Sequence, residues 1–231
     1  MRIAIVTEVF LPAVDGVVTR LRRTLEELER LGDDVLVVAP AGGPPRYAGA
    51  AVMGMRALRL PLYPDGDGYP EKRIALPGPS LGRALRRFAP DVIHAVNPVL
   101  LSAGAVYHAR RLAIPLVASY HANLAVYSRY YGLGLLEGPG RRYVRAVHER
   151  ADVNLCTSVA TLQTLAARGF PRLELWPYGV DARPSDGAAD ARSWRTRLSG
   201  GRPSGRSCCS SGVSRRRRLA LAKRMSLVSS E

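Results

Sequence analysis

Between Arg2 and Trp176 the chain alternates short, continuous apolar runs with longer stretches in which apolar residues recur every third or fourth position. The first run, Arg2 to Thr7, is rich in Ile and Val. A loop punctuated by Pro12 and Gly16 follows, and then a stretch from Val17 to Leu31 in which Leu21, Leu25, Leu28 and Leu31 share a helical stripe. Gly32 stands where a helix C-terminal glycine belongs, and Asp34 to Pro40 reads as a strand buried on both faces of a parallel sheet. The opening is therefore a βαβ unit.

The alternation predicts a third strand over Met55 to Leu60, a polar loop, a helix over Ser80 to Phe88 and a strand over Asp91 to Val96. A helix over Leu101 to Leu112 and a strand over Pro115 to Ser119 come next, then a long loop and a helix from about Gly138 to Arg150. The series closes with a strand over Asp152 to Cys156, a helix over Val159 to Ala167 and a strand over Arg172 to Trp176. Strands separated by helices call for right-handed crossovers, so the pattern predicts a doubly wound α/β domain, Rossmann-like, with a parallel sheet between two helical layers and an end near Asp181.

Beyond Asp181 the pattern is lost. Residues 182–231 hold 11 Arg and 11 Ser, and their 12 Lys+Arg against 3 Asp+Glu supply +9 of the net charge of +15. Such a segment buries too little apolar surface to offset its ordering entropy, and a disordered basic tail is expected. The run Arg215 to Arg218 would hold phosphate without selectivity, and no aromatic residue stands beside it to stack on bases, so no specific nucleic-acid partner is expected. With no apolar run of 18 residues and no signal peptide, the reading is cytoplasmic. Cys156, Cys208 and Cys209 lack the spacing of a disulfide framework or a zinc site.

In a doubly wound sheet, ligands sit beyond the carboxyl ends of the strands, so the loops after each strand carry the chemistry. Gly16 opens a helix in the first such loop, where backbone amides and the helix dipole suit an anion or a sugar phosphate. The glycine fingerprint of dinucleotide sites, G-x-G-x-x-G, is absent, which argues against a nicotinamide oxidoreductase.

Four ordered strings then carry a resemblance. Phe10-Leu11-Pro12-Ala13-Val14-Asp15-Gly16-Val17-Val18 is similar to the first loop of retaining GT-B glycosyltransferases, F-x-P-x-x-x-G-V. Ser119-Tyr120-His121-Ala122-Asn123, with Tyr127 and Tyr130-Tyr131-Gly132-Leu133-Gly134, resembles their S-[FY]-H-T-N and Y-x-x-Y/H-G-L-G. Arg150-Ala151-Asp152 with Ser158 and Arg168-Gly169-Phe170, and finally Trp176-Pro177-Tyr178-Gly179-Val180-Asp181, complete the series. The nearest branch by these loops is the GDP-mannose-dependent mannosyltransferases, with the sulfoquinovosyltransferases similar in the same places.

The resemblance implies transfer of a hexose, mannose foremost, from a nucleotide-sugar donor (GDP-mannose or a UDP-sugar) to a hydroxyl of a lipid or glycolipid acceptor with retention of configuration, and no metal or other cofactor. It makes His121 the catalytic-site histidine that lies beside the donor sugar and orients it, and it puts Asp15, Gly16, Asn123 and Tyr127 among the substrate-binding residues. Ala122 stands where the family has Thr, which removes one hydroxyl contact. Lys72 and Arg73, in a polar loop after the expected third strand, read either as a holder of an anionic acceptor headgroup or as part of a solvated loop. His94, without a motif match, reads as an ordinary strand histidine.

Two further expectations concern partners and the missing half. The helix over Ser80 to Phe88 groups Arg83, Arg86 and Arg87 away from Leu81, Leu85 and Phe88, as suits either peripheral contact with the inner face of a membrane or a plain amphipathic surface helix. In the family, Gly-Val-Asp begins the crossing into a second domain with most of the nucleotide contacts, and residues 182–231 resemble none of it. The chain thus reads as an acceptor-side half, inactive alone, or as a stand-alone acceptor- or membrane-binding module. The tail has the composition of an out-of-frame GC-rich gene: Cys208-Cys209-Ser210-Ser211 shifted by two bases would read Leu-Leu-Val-Gly, similar to the strand that opens the family's second domain.

Overall fold

An eight-stranded sheet organises residues 1–59, 73–121 and 137–176, which are the residues that the computed structural model describes, and all of them belong to one compact unit. Its strands are β1 (Arg2–Thr7), β2 (Asp34–Pro40), β3 (Arg46–Tyr47), β4 (Ala50–Met55), β7 (Val92–Val96), β8 (Leu116–Tyr120), β9 (Val153–Cys156) and β10 (Leu173–Leu175). A separate two-stranded antiparallel sheet pairs β5 (Ala57–Arg59) with β6 (Arg73–Ala75). The helices are α1 (Gly16–Arg30), α2 (Pro79–Phe88), α3 (Leu101–Leu112), α4 (Glu137–His148) and α5 (Val159–Ala167).

The spatial order is β10-β9-β8-β7-β1-β2-β4-β3, parallel throughout except for the short edge strand β3. From β1 the chain moves one way to β2 through α1, and from β7 it moves the other way to β8 through α3. Right-handed crossovers therefore put α1 and α3 on opposite faces and open a switch point between β1 and β7. Ala4, Val6, Ile93, Ala95, Leu116 and Ala118 face Leu81 and Leu85 of α2 and Leu101, Ala105 and Ala109 of α3 in one core, all buried. Val18, Leu21, Leu25 and Leu28 of α1 are buried on the other side. Each central strand is buried along its length, which explains why these runs lack polar alternation.

The third strand departs from expectation. The strand that pairs with β2 is Ala50–Met55, and Met55 ends it instead of beginning it. Its sequence, Ala-Ala-Val-Met-Gly-Met, is too weakly apolar to stand out, yet a Cβ at Gly54 would press on Ala41, so a small residue is needed there. Arg73 is likewise not in a loop but in β6, where its Nη1 donates to the Ala41 carbonyl at 2.9 Å. Lys72, Asn123, Tyr127 and residues 182–231 lie outside the described residues. So does the sequence after His121 that carries Ala122.

Behind the sheet, Asn154 holds β9 to its neighbours. Its Oδ1 accepts from His148 Nδ1 at 2.7 Å, and its Nδ2 donates to the carbonyls of His148 (3.0 Å) and Pro171 (2.8 Å). Both groups are buried, and the amide's donors are both spent on carbonyls, so the proton of this pair must sit on His148 Nδ1.

Candidate functional site

The first loop is built from the inside outward. Phe10 is buried and meets the Tyr47 ring edge-on at 6.3 Å between centroids, which anchors the loop to the β3 hairpin. The Leu11–Pro12 peptide is cis, and the Leu11 carbonyl lies so close to Gly43 that a Cβ there would collide with it. Glu8 turns its carboxylate to the start of α3 and accepts from the amides of Val99 (3.1 Å), Leu100 (2.8 Å), Leu101 (3.2 Å) and Ser102 (2.9 Å). A protein carboxylate thus fills the anion position at the α3 N-terminus. Nothing in the sequence marks it, because the capped helix lies more than 90 residues away.

Asp15 caps α1 by accepting from Val18 N at 2.8 Å. The side chain expected to meet substrate therefore serves the helix directly, while the preceding first-turn amides, those of Gly16 and Val17, are the orphan donors that a helix start presents. Both Asp15 and Gly16 are exposed.

The histidines meet across β7 and β8. Ser119 Oγ, at the end of β8, lies 3.0 Å from His121 Nε2 and 2.9 Å from Nε2 of His94 in β7. Ser119 and His94 are buried, whereas His121 is half-buried. Burial pushes the His94 imidazole down to about 3, helped by the nearby His121 and Arg20, and pushes His121 down to about 4 with Arg20 adding to the effect. Both rings are neutral at pH 7. His121 Nδ1 is buried with no hydrogen-bond partner among the described residues.

Trp176, just after β10, closes this group. Its ring meets His94 at 5.5 Å and His121 at 6.0 Å, edge-on in both cases, and the Arg20 guanidinium lies 4.1 Å from the ring centroid. Arg20 also donates to the Trp176 carbonyl. Only 7% of Arg20 is exposed, so α1 brings a buried cation to the same place one turn after Gly16. His94 and Arg20 are absent from the expected set. The buried strand pattern hid the first and the helical stripe hid the second.

Elsewhere, Cys156 is buried, and burial raises its thiol to about 11, in keeping with a structural cysteine. Among the described residues no cluster of His, Cys, Asp and Glu could hold a metal ion, and no helix is long and apolar enough to cross a membrane.

A histidine just after β8, and a glycine-opened helix after β1, with β7 between the two strands, agree with the resemblance read from the motif strings. Residues 14–183 match the model of glycosyltransferase family 4. The chain belongs to that family. Among curated relatives, the family 4 chain is 37% identical over 211 residues to a GDP-mannose-dependent alpha-mannosyltransferase of Mycolicibacterium smegmatis, covering 88% of this chain and 54% of that protein. It is 34% identical over 194 residues to the sulfoquinovosyl transferase SQD2 of Arabidopsis thaliana, covering 82% and 37%. The chain thus spans about half the length, or less, of these relatives. The first match covers too large a share of the chain to stop at Asp181. Among solved structures, Anabaena Alr3699/HepE in complex with UDP aligns with a TM-score of 0.56 at 15% identity, over 87% of this chain and 50% of that one. At that identity the likeness speaks for the fold, and it bears out the doubly wound, GT-B-type architecture.

Proposed function

We propose that this family 4 chain is the acceptor-side half of a retaining transferase that moves mannose from GDP-mannose to a hydroxyl of a lipid or glycolipid acceptor at the inner face of a membrane. The observation that carries the reading is the His121 group at the carboxyl ends of β7 and β8. A neutral imidazole with its Nδ1 unspent suits a sugar hydroxyl better than a phosphate, since it brings no charge. In this reading His121 orients the donor hexose, the α1 amides at Gly16 approach the donor phosphates, and Asp15 holds that helix start in shape. Arg73, with Lys72, Asn123 and Tyr127, completes the substrate-binding set. Residues 1–181 form the acceptor-side domain in this proposal, and the tail owes its composition to a shifted reading frame, which the nucleotide sequence of the locus decides.

Calorimetric titration of the chain with GDP-mannose tests the reading. Binding that is lost in His121→Ala and kept in Tyr107→Ala supports it, and equal binding by both variants or by neither overturns it.

A second reading, a membrane-binding module, draws on one surface. Tyr107, Arg110 and Arg111 of α3 face Tyr143 and Arg150 of α4 and the turn after it across a groove of about 640 Å³ floored by Val106 and Val147. Arginines around an apolar floor suit an anionic lipid, and flotation with anionic against neutral vesicles separates this reading from the first.

A further inference from the structure

We propose that His94 is a positioning residue which, through the shared Ser119 hydroxyl, fixes the proton of His121 on Nε2 and leaves its Nδ1 to accept from a hydroxyl of the donor hexose. This rests on the reading that His121 faces the donor.

Ser119 Oγ carries one proton and can accept two, and it lies within hydrogen-bond distance of Nε2 on both rings. If both Nε2 atoms were bare, the single hydroxyl proton would satisfy only one of them. At least one ring must therefore be in the Nε2–H form. His94 sits in β7, buried beside Trp176, and takes the Ser119 proton. Ser119 Oγ in turn accepts from His121 Nε2–H.

The reverse arrangement would place a proton on His121 Nδ1, which is buried and has no acceptor among the described residues. An orphaned N–H is tolerated less well than an orphaned lone pair. The relay therefore runs His121 to Ser119 to His94. The backbone holds the group in register: His94 pairs with Val117 and Val96 with Ser119 across β7 and β8, and Asn97 N donates to the Ser119 carbonyl at 2.8 Å. The edge of Trp176 closes on both rings.

The test is nitrogen-15 NMR of the histidine rings in the full, ligand-free chain, which distinguishes the two neutral forms. His121 is expected as a single Nε2–H species. His94→Leu deletes the acceptor, frees the Ser119 proton and shifts His121 toward Nδ1–H, although the replaced side chain makes no hydrogen bond to His121. His94→Gln, whose amide oxygen can take the serine proton, restores the wild-type form. Ser119→Ala lets His121 average between forms and Ser119→Thr prevents this.

His121 found as Nδ1–H in the wild type overturns the relay whether or not any variant folds. So do His121 signals that ignore His94→Leu. Adding GDP-mannose tests the underlying reading separately. If the His121 nitrogens do not respond to it, the donor reading falls while the relay stands on the ligand-free spectra.

Discussion

Arg20 and Trp176 are stacked, with the guanidinium 4.1 Å from the indole centroid and donating to the Trp176 carbonyl, so that α1 is fastened to the residue that follows the last strand. Arg20→Met keeps the aliphatic stem but deletes the cation and its hydrogen bond. A partly desolvated cation–π contact and a charged hydrogen bond are each worth about 1–2 kcal/mol, so the urea midpoint should report a loss of about 2–4 kcal/mol. Arg20→Lys, which keeps the charge but not the flat stack, should fall between. No change in Arg20→Met would mean that the stack contributes nothing net.

The neutral histidines predict an acid-sensitive fold. His94 and His121 have folded values pushed down to about 3 and about 4, below the ordinary value near 6.5 that they regain on unfolding. Between those limits the unfolded chain binds more protons than the folded one, so stability is full above about pH 6.5 and is lost as the pH falls through 6.5 toward 4 and then 3. From pH 7 to pH 5 each ring should cost about 2 kcal/mol. His148, also lowered by burial, adds in the same direction. Chemical denaturation at the two pH values measures the slope, and replacing His94 with Gln should flatten it.

Glu8 caps α3 from the loop after β1. Its carboxylate takes four amides at the α3 N-terminus. Glu8→Ala strips that cap and should lower stability by about 1–2 kcal/mol, and Glu8→Gln, which keeps an acceptor but not the charge, by less. Thermal melts of the two variants rank them. Glu8→Gln as unstable as Glu8→Ala would show that the charge, and not the acceptor, carries the cap.

What the sequence shows about this molecule depends on how local the cause is. α3 and α5 are legible to the residue, because an apolar stripe and a strand on either side determine them. Ala50–Met55 is not, since a strand of Ala, Gly and Met gains its place from pairing with β2 and not from its own side chains. The same holds at the site. His121 is legible through its motif, and Gly16 through the helix it opens. Glu8, Arg20 and His94 act on partners 94, 156 and 25 residues away, and no local pattern records such pairs.

Gly43 supplies a prediction that separates the loop from the fold. A side chain at residue 43 would collide with the Leu11 carbonyl, which is backbone and cannot rotate aside, so Gly43→Ala must push the first loop away from the segment after β2. Overpacking of this kind costs about 1–3 kcal/mol. Gly32 is the control. Its φ of +76° makes Gly32→Ala strained by about 1 kcal/mol, but open space surrounds the new methyl, and it lies at the amino edge of the sheet, away from His121. Both variants should lose stability, and only Gly43→Ala should lose GDP-mannose binding when the two are titrated side by side. Equal binding by both would mean that the first loop does not shape the donor site, and the role proposed for Gly16 would fall with it.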